Sequence, residues 1–341
     1  MCTSIAVFFT ACSSDSTSYA DNGDAAEPSS NETVISSSGE AKSESSSSWI
    51  ATSSSSSTTT PPSSVSFNAG SSSHNDAESS SSSNSVETSS SCSATASSSE
   101  SPYLWNDEFD TIDTTKWTFE IGTGASGWGN NEKQYYTGRS ENAYIQDGIL
   151  HIRANKESYE GCSYTSARMI TKGKFNFTYG TIEARIALPV GKGIWPAFWM
   201  LGENIDVVSW PTCGEIDIIE AVNTENIVYG TNHWAYNGDH AQYGNNTGDF
   251  HGASKALDIT QFHTYKLTWN ENFIAMYVDD FKYHEISIEN NAGETEAFHK
   301  PFFLLLNVAV GGNWPGFEID DTQFPNEMLV DYIRIYKAQK I

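Results

Sequence analysis

Glu215, Asp217 and Glu220 fall within one heptapeptide, GEIDIIE, residues 214–220. Two carboxyl groups facing one sugar are what glycoside hydrolysis requires. In a retaining enzyme one is the nucleophile and the other the general acid, then base, about 5–5.5 Å apart across the anomeric carbon. One must stay protonated near neutral pH, and crowding among carboxylates raises a pKa. A third acid between them, Asp217, would hold a hydrogen bond and tune that coupling. The plainer explanation of three close acids is a solvated stripe on an edge strand. Against it stands the setting, a run filled with isoleucine, preceded by WPTCG and belonging to a tryptophan-rich segment.

These acids need an element that turns all three to one side. On an α-helix Glu215 and Glu220 would be about 140° apart. Ile216, Ile218 and Ile219 are β-branched and favour a strand. On a regular strand Glu215 and Asp217 share a face while Glu220 points away. One extra residue, absorbed as a β-bulge at Ile218–Ile219, resets the alternation and returns Glu220 to its partners. The spacing therefore predicts a bulge. Five residues of flat strand span roughly 16 Å, so strand curvature and the long glutamate side chains must close the remaining gap.

The rest of the chain divides by composition. From Ser79 to Ser101, 14 of 23 residues are Ser, and the bias extends back to Ser13. Such a stretch has too little apolar surface to offset the entropy of ordering it, so residues 13–101 are expected to form a disordered, acidic linker. Residues 102–341 hold nine of the ten tryptophans, enough for one large domain. Of the 43 acids and 18 bases, the first 101 residues carry eleven acids and Lys42 alone as a base. The domain keeps 32 acids and 17 bases, a field unfavourable to nucleic acid, anionic membranes and sulfated polymers but indifferent to neutral glucans.

The apolar run Ile5–Ala11 is far too short to span a bilayer. With small residues before Cys12 it resembles the end of a bacterial lipoprotein signal (residues 1–12). That resemblance implies export and a membrane tether through acylated Cys12, although no Lys or Arg precedes the run and Phe9 stands where Leu is usual. Cys162 and Cys213 lie in the domain, and two cysteines make no disulfide framework, so their pairing stays open.

Within the domain, short alternating runs and frequent turns indicate an all-β sandwich, barrel or jelly roll. Residues 148–157 and 328–338 are expected to be strands, residues 174–189 two strands broken at Gly180, and residues 263–288 two or three strands with turns at 270–272 and 279–280. Only residues 253–258 and the ETEAF region suggest helical turns. Trp195 and Trp199, four apart, share one strand face, where indole could stack on the C–H face of a sugar or simply pack in the core.

The ordered set WNDEFD (105–110), GWGNNEKQYYT (127–137), GIWPAFWML (193–201), WPTCGEIDIIE (210–220), GTNHW (230–234), NVAVGGNWPG (307–316) and VDYIRIYK (330–337) resembles glycoside hydrolase family 16, in its laminarinase-like β-1,3-glucanases. The resemblance spans the whole domain. It implies a concanavalin-like β-jelly-roll of two curved antiparallel sheets with an open substrate cleft on the concave face. It implies Glu215 as nucleophile, Glu220 as acid/base and Asp217 as helper. It further implies Asn131, Arg168, Trp195, Trp199, His233, Trp234, Asn313 and Trp314 around the glucan, though Arg168 could instead be a buried charge partner. Glu108, the Gly148 carbonyl and Asp331 match a structural calcium site away from the cleft; no cofactor is expected in the reaction. In this family the six-residue, bulged signature accompanies β-1,3-glucanases, agarases and carrageenases, and a shorter form accompanies lichenases. Mixed-linkage β-1,3-1,4-glucan, agarose or carrageenan, and a non-catalytic glucan-recognition module, remain the competing readings. A monomer satisfies everything in the sequence.

Overall fold

The computed structural model describes residues 101–337, so the signal segment, Cys12 and nearly all of the linker lie outside the described residues. The strands run in chain order as β1 (Tyr103–Asp107), β2 (Thr118–Phe119), β3 (Gln134–Tyr136), β4 (Ala143–Gln146), β5 (Ile149–Tyr159) and β6 (Cys162–Ser166). There follow β7 (Arg168–Ile170), β8 (Gly180–Ala187), β9 (Ile194–Gly202), the one-turn helix α1 (Ile205–Val208), β10 (Glu215–Glu220), β11 (Tyr229–Tyr236) and β12 (Asp239–Asn246). The last are β13 (His263–Trp269), β14 (Phe273–Val278), β15 (Phe281–Ser287), β16 (Phe302–Val310) and β17 (Asn326–Tyr336).

They form two sheets, as expected of a jelly roll. The ten-stranded sheet follows β15-β14-β13-β8-β17-β5-β6-β3, with β1 beside β17 and β4 beside β5. The seven-stranded sheet follows β12-β11-β10-β9-β16-β7-β2 and carries the candidate site on its concave, open face. Alternation assigns each strand's faces. In β8, Ile182, Ala184 and Ile186 are fully buried, and in β10 so are Ile216, Ile218 and Ile219. Both sets belong to one continuous core with Phe198, Met200, Leu304, Leu306 and Val308. Burial of this apolar surface, at about 25 cal/mol per Å², is what holds the layers together. Strand β16 is buried along its whole length, FFLLLNVAV, with one face in the core and the other under the cleft. Asn307 is its single polar residue.

Two expectations need correction. Residues 174–179 form no strand: before β8, Phe177 makes one isolated bridge to Phe302. The aromatic side chains explain this, since Phe175 stacks on Trp105 at 5.1 Å and both Phe177 and Tyr179 meet Trp269 edge-on. Residues 253–258 form no helical turn, whereas Thr295–His299 does form a 3₁₀ turn. Helix α1 was not foreseen, because its four residues are too few for a periodic signal. Cys162 and Cys213 are both free.

Candidate active site

The bulge is present where the spacing demands it. Along β9, Glu215, Ile216 and Asp217 pair with Leu201, Met200 and Trp199, and then Ile219 and Glu220 pair with Phe198 and Ala197. Ile218 is the extra residue. On the other side Asp217 faces Thr231 and Glu220 faces Tyr229, three positions against two. Consecutive isoleucines 218 and 219 thus both enter the core, and Glu220 returns to the cleft with Glu215 and Asp217.

A bulge leaves backbone groups without ladder partners, and in a buried strand each needs another. The Tyr283 hydroxyl, arriving from β15 in the opposite sheet, donates to the Ile218 carbonyl. Gly230 makes room for it, because a Cβ there would lie 2.6 Å from Met276 Sδ and 2.8 Å from the Tyr283 ring. Tyr283→Phe leaves that carbonyl unsatisfied in the core and is expected to cost about 1–3 kcal/mol. Denaturant melts of the two proteins measure it, and equal stability would show that the bulge does not depend on this hydroxyl.

Burial and mutual charge set the protonation of the trio. Asp217 is 2% exposed, while Glu215 and Glu220 remain half-open to the cleft. Burial pushes Asp217 up to about 7, against a hydrogen bond with Glu215 that lowers it. Burial, then the charge of Asp217, pushes Glu215 up to about 8, opposed by His233 and by the Trp210 indole. Glu220 is driven well above the ordinary carboxylate range by burial and by the charges of Asp217 and Glu215. All three carboxyls are therefore held above the ordinary carboxylate range, with burial the first cause in each. Each ionisation in the trio makes the next harder. Water at the open side moderates the effect on both glutamates.

Each glutamate also receives an indole N–H. Trp195 Nε1 donates to Glu220 at 2.9 Å and Trp210 Nε1 to Glu215 at 2.8 Å. His233 Nε2 stands 3.1 Å from Asp217 Oδ2. Glu215, Asp217 and His233 bring ligand atoms within 4.8 Å of one another, a spacing a metal ion could bridge; Glu215 accepts the Trp210 indole N–H, while the buried Asp217 Oδ2 facing His233 accepts no hydrogen bond.

The structure brings most of the expected cleft residues together. Trp314 packs edge-on to Trp195 at 5.5 Å and to Tyr229 at 5.1 Å, and is 41% exposed. Asn131 Nδ2 donates to Asn313 Oδ1 at 2.9 Å, linking two rim loops. Trp199 donates to Asn307 Oδ1 at 2.7 Å. Arg168 is 9% exposed, pairs with Glu120 at 2.5 Å and lies between the Trp128 and Trp199 rings, so it backs the cleft floor as a buried charge partner. Trp234 is a correction. It is 8% exposed, donates to the Gly293 carbonyl at 2.8 Å and packs on Phe298 in the core. Strand alternation requires this once His233 faces Asp217. Sequence reasoning missed Trp210, Tyr229 and Asn307; Trp210 and Asn307 sat inside quoted motifs, but only register shows which way they face.

Both acids of the expected calcium site are paired with guanidinium groups. Arg334 donates to both Glu108 oxygens at 3.0 and 2.7 Å, holding that carboxyl below its ordinary range, and Arg185 pairs with Asp331 at 2.5 Å. Two acids already neutralised by guanidinium groups, with the Gly148 carbonyl as the remaining donor, are a poor fit to a hard cation that wants six or more oxygens. No chemistry is routed through it.

Comparison with known proteins agrees with this geometry. The chain is 42% identical over 236 residues to the clotting factor G alpha subunit of Tachypleus tridentatus, covering 69% of this chain and 34% of that protein, so it spans about a third of that relative. It is 40% identical over 259 residues to the beta-glucanase of Rhodothermus marinus, covering 70% of this chain and 87% of that one. The crystal structure of the laminarinase catalytic domain from Thermotoga maritima is 46% identical, with a TM-score of 0.62 over 70% of this chain and 98% of that chain. Residues 130–334 match the domain described as glycosyl hydrolases family 16, a span that includes all three acids, and the chain belongs to that family.

Proposed function

We propose that the domain is a retaining endo-β-1,3-glucanase. The observation that carries the reading is the bulge that turns Glu220 to the face of Glu215 and Asp217, on a cleft lined by Trp195, Trp199 and Trp314. Glu215 attacks the anomeric carbon as the glycosidic C–O bond breaks, and the Glu220 proton passes to the departing oxygen. Water then attacks the same carbon, its proton goes to Glu220, and the bond to Glu215 opens. The raised Glu220 carboxyl suits the acid role, since burial and the charges of Asp217 and Glu215 favour its protonated form. Asp217 stands between the two and hydrogen-bonds Glu215.

The rim indoles Trp210 and Trp314, 45% and 41% exposed, stand beside Glu215 and beyond Glu220 respectively, which suits a chain lying across the sheet and cut internally. The laminarinase and beta-glucanase names of the similar proteins support β-1,3-linked glucan as substrate. Assays on laminarin, lichenan, agarose and carrageenan side by side are expected to show laminarin cleaved fastest, with short oligosaccharides released and the β-anomer formed first by proton NMR. Faster cleavage of lichenan would assign the mixed-linkage alternative, and laminarin binding without new reducing ends would assign a recognition module. Export, a tether at Cys12 and a monomeric state complete the proposal. Among the described residues no helix is long and apolar enough to cross a membrane. Labelling cells with an alkynyl fatty acid, with Cys12→Ala as the control, tests the tether.

A further inference from the structure

His240 is the second residue of the exposed edge strand β12, and the Glu–Asp–Glu chemistry does not call on it. Its contacts nevertheless reach two of the three acids. His240 Nε2 lies 2.9 Å from His233 Nδ1, with the two ring planes inclined 21° to each other. The other nitrogen of His233 faces Asp217 Oδ2 at 3.1 Å. The His240 ring also packs against the Trp210 indole, centroids 4.5 Å apart, and that indole donates to Glu215. One imidazole thus touches both the His233 ring beside Asp217 and the indole that donates to Glu215.

We propose that His240 is a positioning residue that sets the proton on His233 and the pose of Trp210, and through them the donors offered to Asp217 and Glu215. The inference rests on the assignment of those acids made above. A histidine presents a donor on one nitrogen and an acceptor on the other, and the partner of one nitrogen decides which. When His240 Nε2–H donates to His233 Nδ1, the His233 proton must sit on Nε2, toward the Asp217 carboxylate. Burial and the charge of His233 lower the pKa of His240, which favours the neutral ring this arrangement uses. The titratable group facing His240 is His233 on β11; Asp217 and Glu215 on β10 are reached only through His233 and Trp210. Without His240, His233 is free to carry its proton on Nδ1 and turn a lone pair toward Asp217.

The test compares His240→Ala, His240→Gln and His240→Phe with the parent. Nitrogen-15 NMR of the His233 ring is expected to show the Nε2–H form in the parent, a shift toward Nδ1–H in the Ala and Phe variants, and recovery with Gln. On laminarin the Ala variant is expected to lose roughly tenfold in kcat with KM within twofold and a displaced pH profile, and Gln to restore the profile. An unchanged His233 tautomer in the Ala variant overturns the proposal. So does rescue by Phe but not Gln, which would leave packing as the whole contribution. The NMR readout needs no substrate, so a parent inactive on laminarin would refute the proposed function and leave His240 to be judged by the spectra.

Discussion

Glu215→Gln is expected to abolish laminarin hydrolysis, by at least about a thousandfold, and to leave a folded protein that is more stable than the parent at pH 8. The loss follows from the chemistry: an amide at this position cannot form the glycosyl–enzyme bond. The gain follows from linkage. The Glu215 carboxyl titrates near 4.5 when exposed and at about 8 in the fold, because burial and Asp217 disfavour its charge. The folded state therefore binds the proton more tightly than the unfolded chain, so this group's effect on stability worsens as pH rises from 4.5 through 8. A neutral glutamine escapes that cost, and the difference in melting temperature should vanish below pH 4.5.

Glu220→Gln should be equally inactive on laminarin for another reason, since the leaving oxygen no longer receives a proton. A laminaribioside with a dinitrophenyl leaving group needs no such help. The Glu220 variant is expected to release dinitrophenol in a burst and the Glu215 variant to release none. Wild-type rates on laminarin in either variant would sink the assignment, and a burst from the Glu215 variant would reverse the two roles.

Asp217→Asn is expected to move both limbs of the pH–kcat profile to lower pH while reducing kcat by roughly a hundredfold. Asp217's charge ranks directly after burial among the influences raising both Glu215 and Glu220. Removing it lets Glu215 ionise at lower pH, which moves the acid limb down. It also lets Glu220 lose its proton sooner, which moves the alkaline limb down. The rate falls because a neutral amide at this position cannot match the charge that spaces the two glutamates. The profile from pH 4 to 10 measures this, and limbs that stay fixed would mean that Asp217 acts by shape alone.

The catalytic trio was legible because strand geometry is strict. Side chains alternate, so an acid three residues beyond Asp217 needs an insertion to rejoin it, and Ile218 supplies one. The final strand and the 263–288 hairpins were legible for the same reason, since their apolar residues alternate toward one core. Residues 174–179 alternate just as well, yet their aromatic rings are taken by Trp105 and Trp269, which the local pattern does not register.

Other features exist only through contacts between distant segments. Tyr283 closing the bulge, 65 positions from Ile218, depends on one sheet lying over the other. The indole donors to Glu215 and Glu220 depend on how a loop and a neighbouring strand meet β10. Trp234 was assigned to the cleft with its neighbour, and register sent it to the core because adjacent strand residues cannot share a face. The sequence alone determined what chemistry these acids could perform and that a kink must gather them, since both follow from residue type and a period of two. Only the tertiary structure decided that all three carboxyls are raised and which groups donate to them, because desolvation and hydrogen bonds are set by groups that packing brings near.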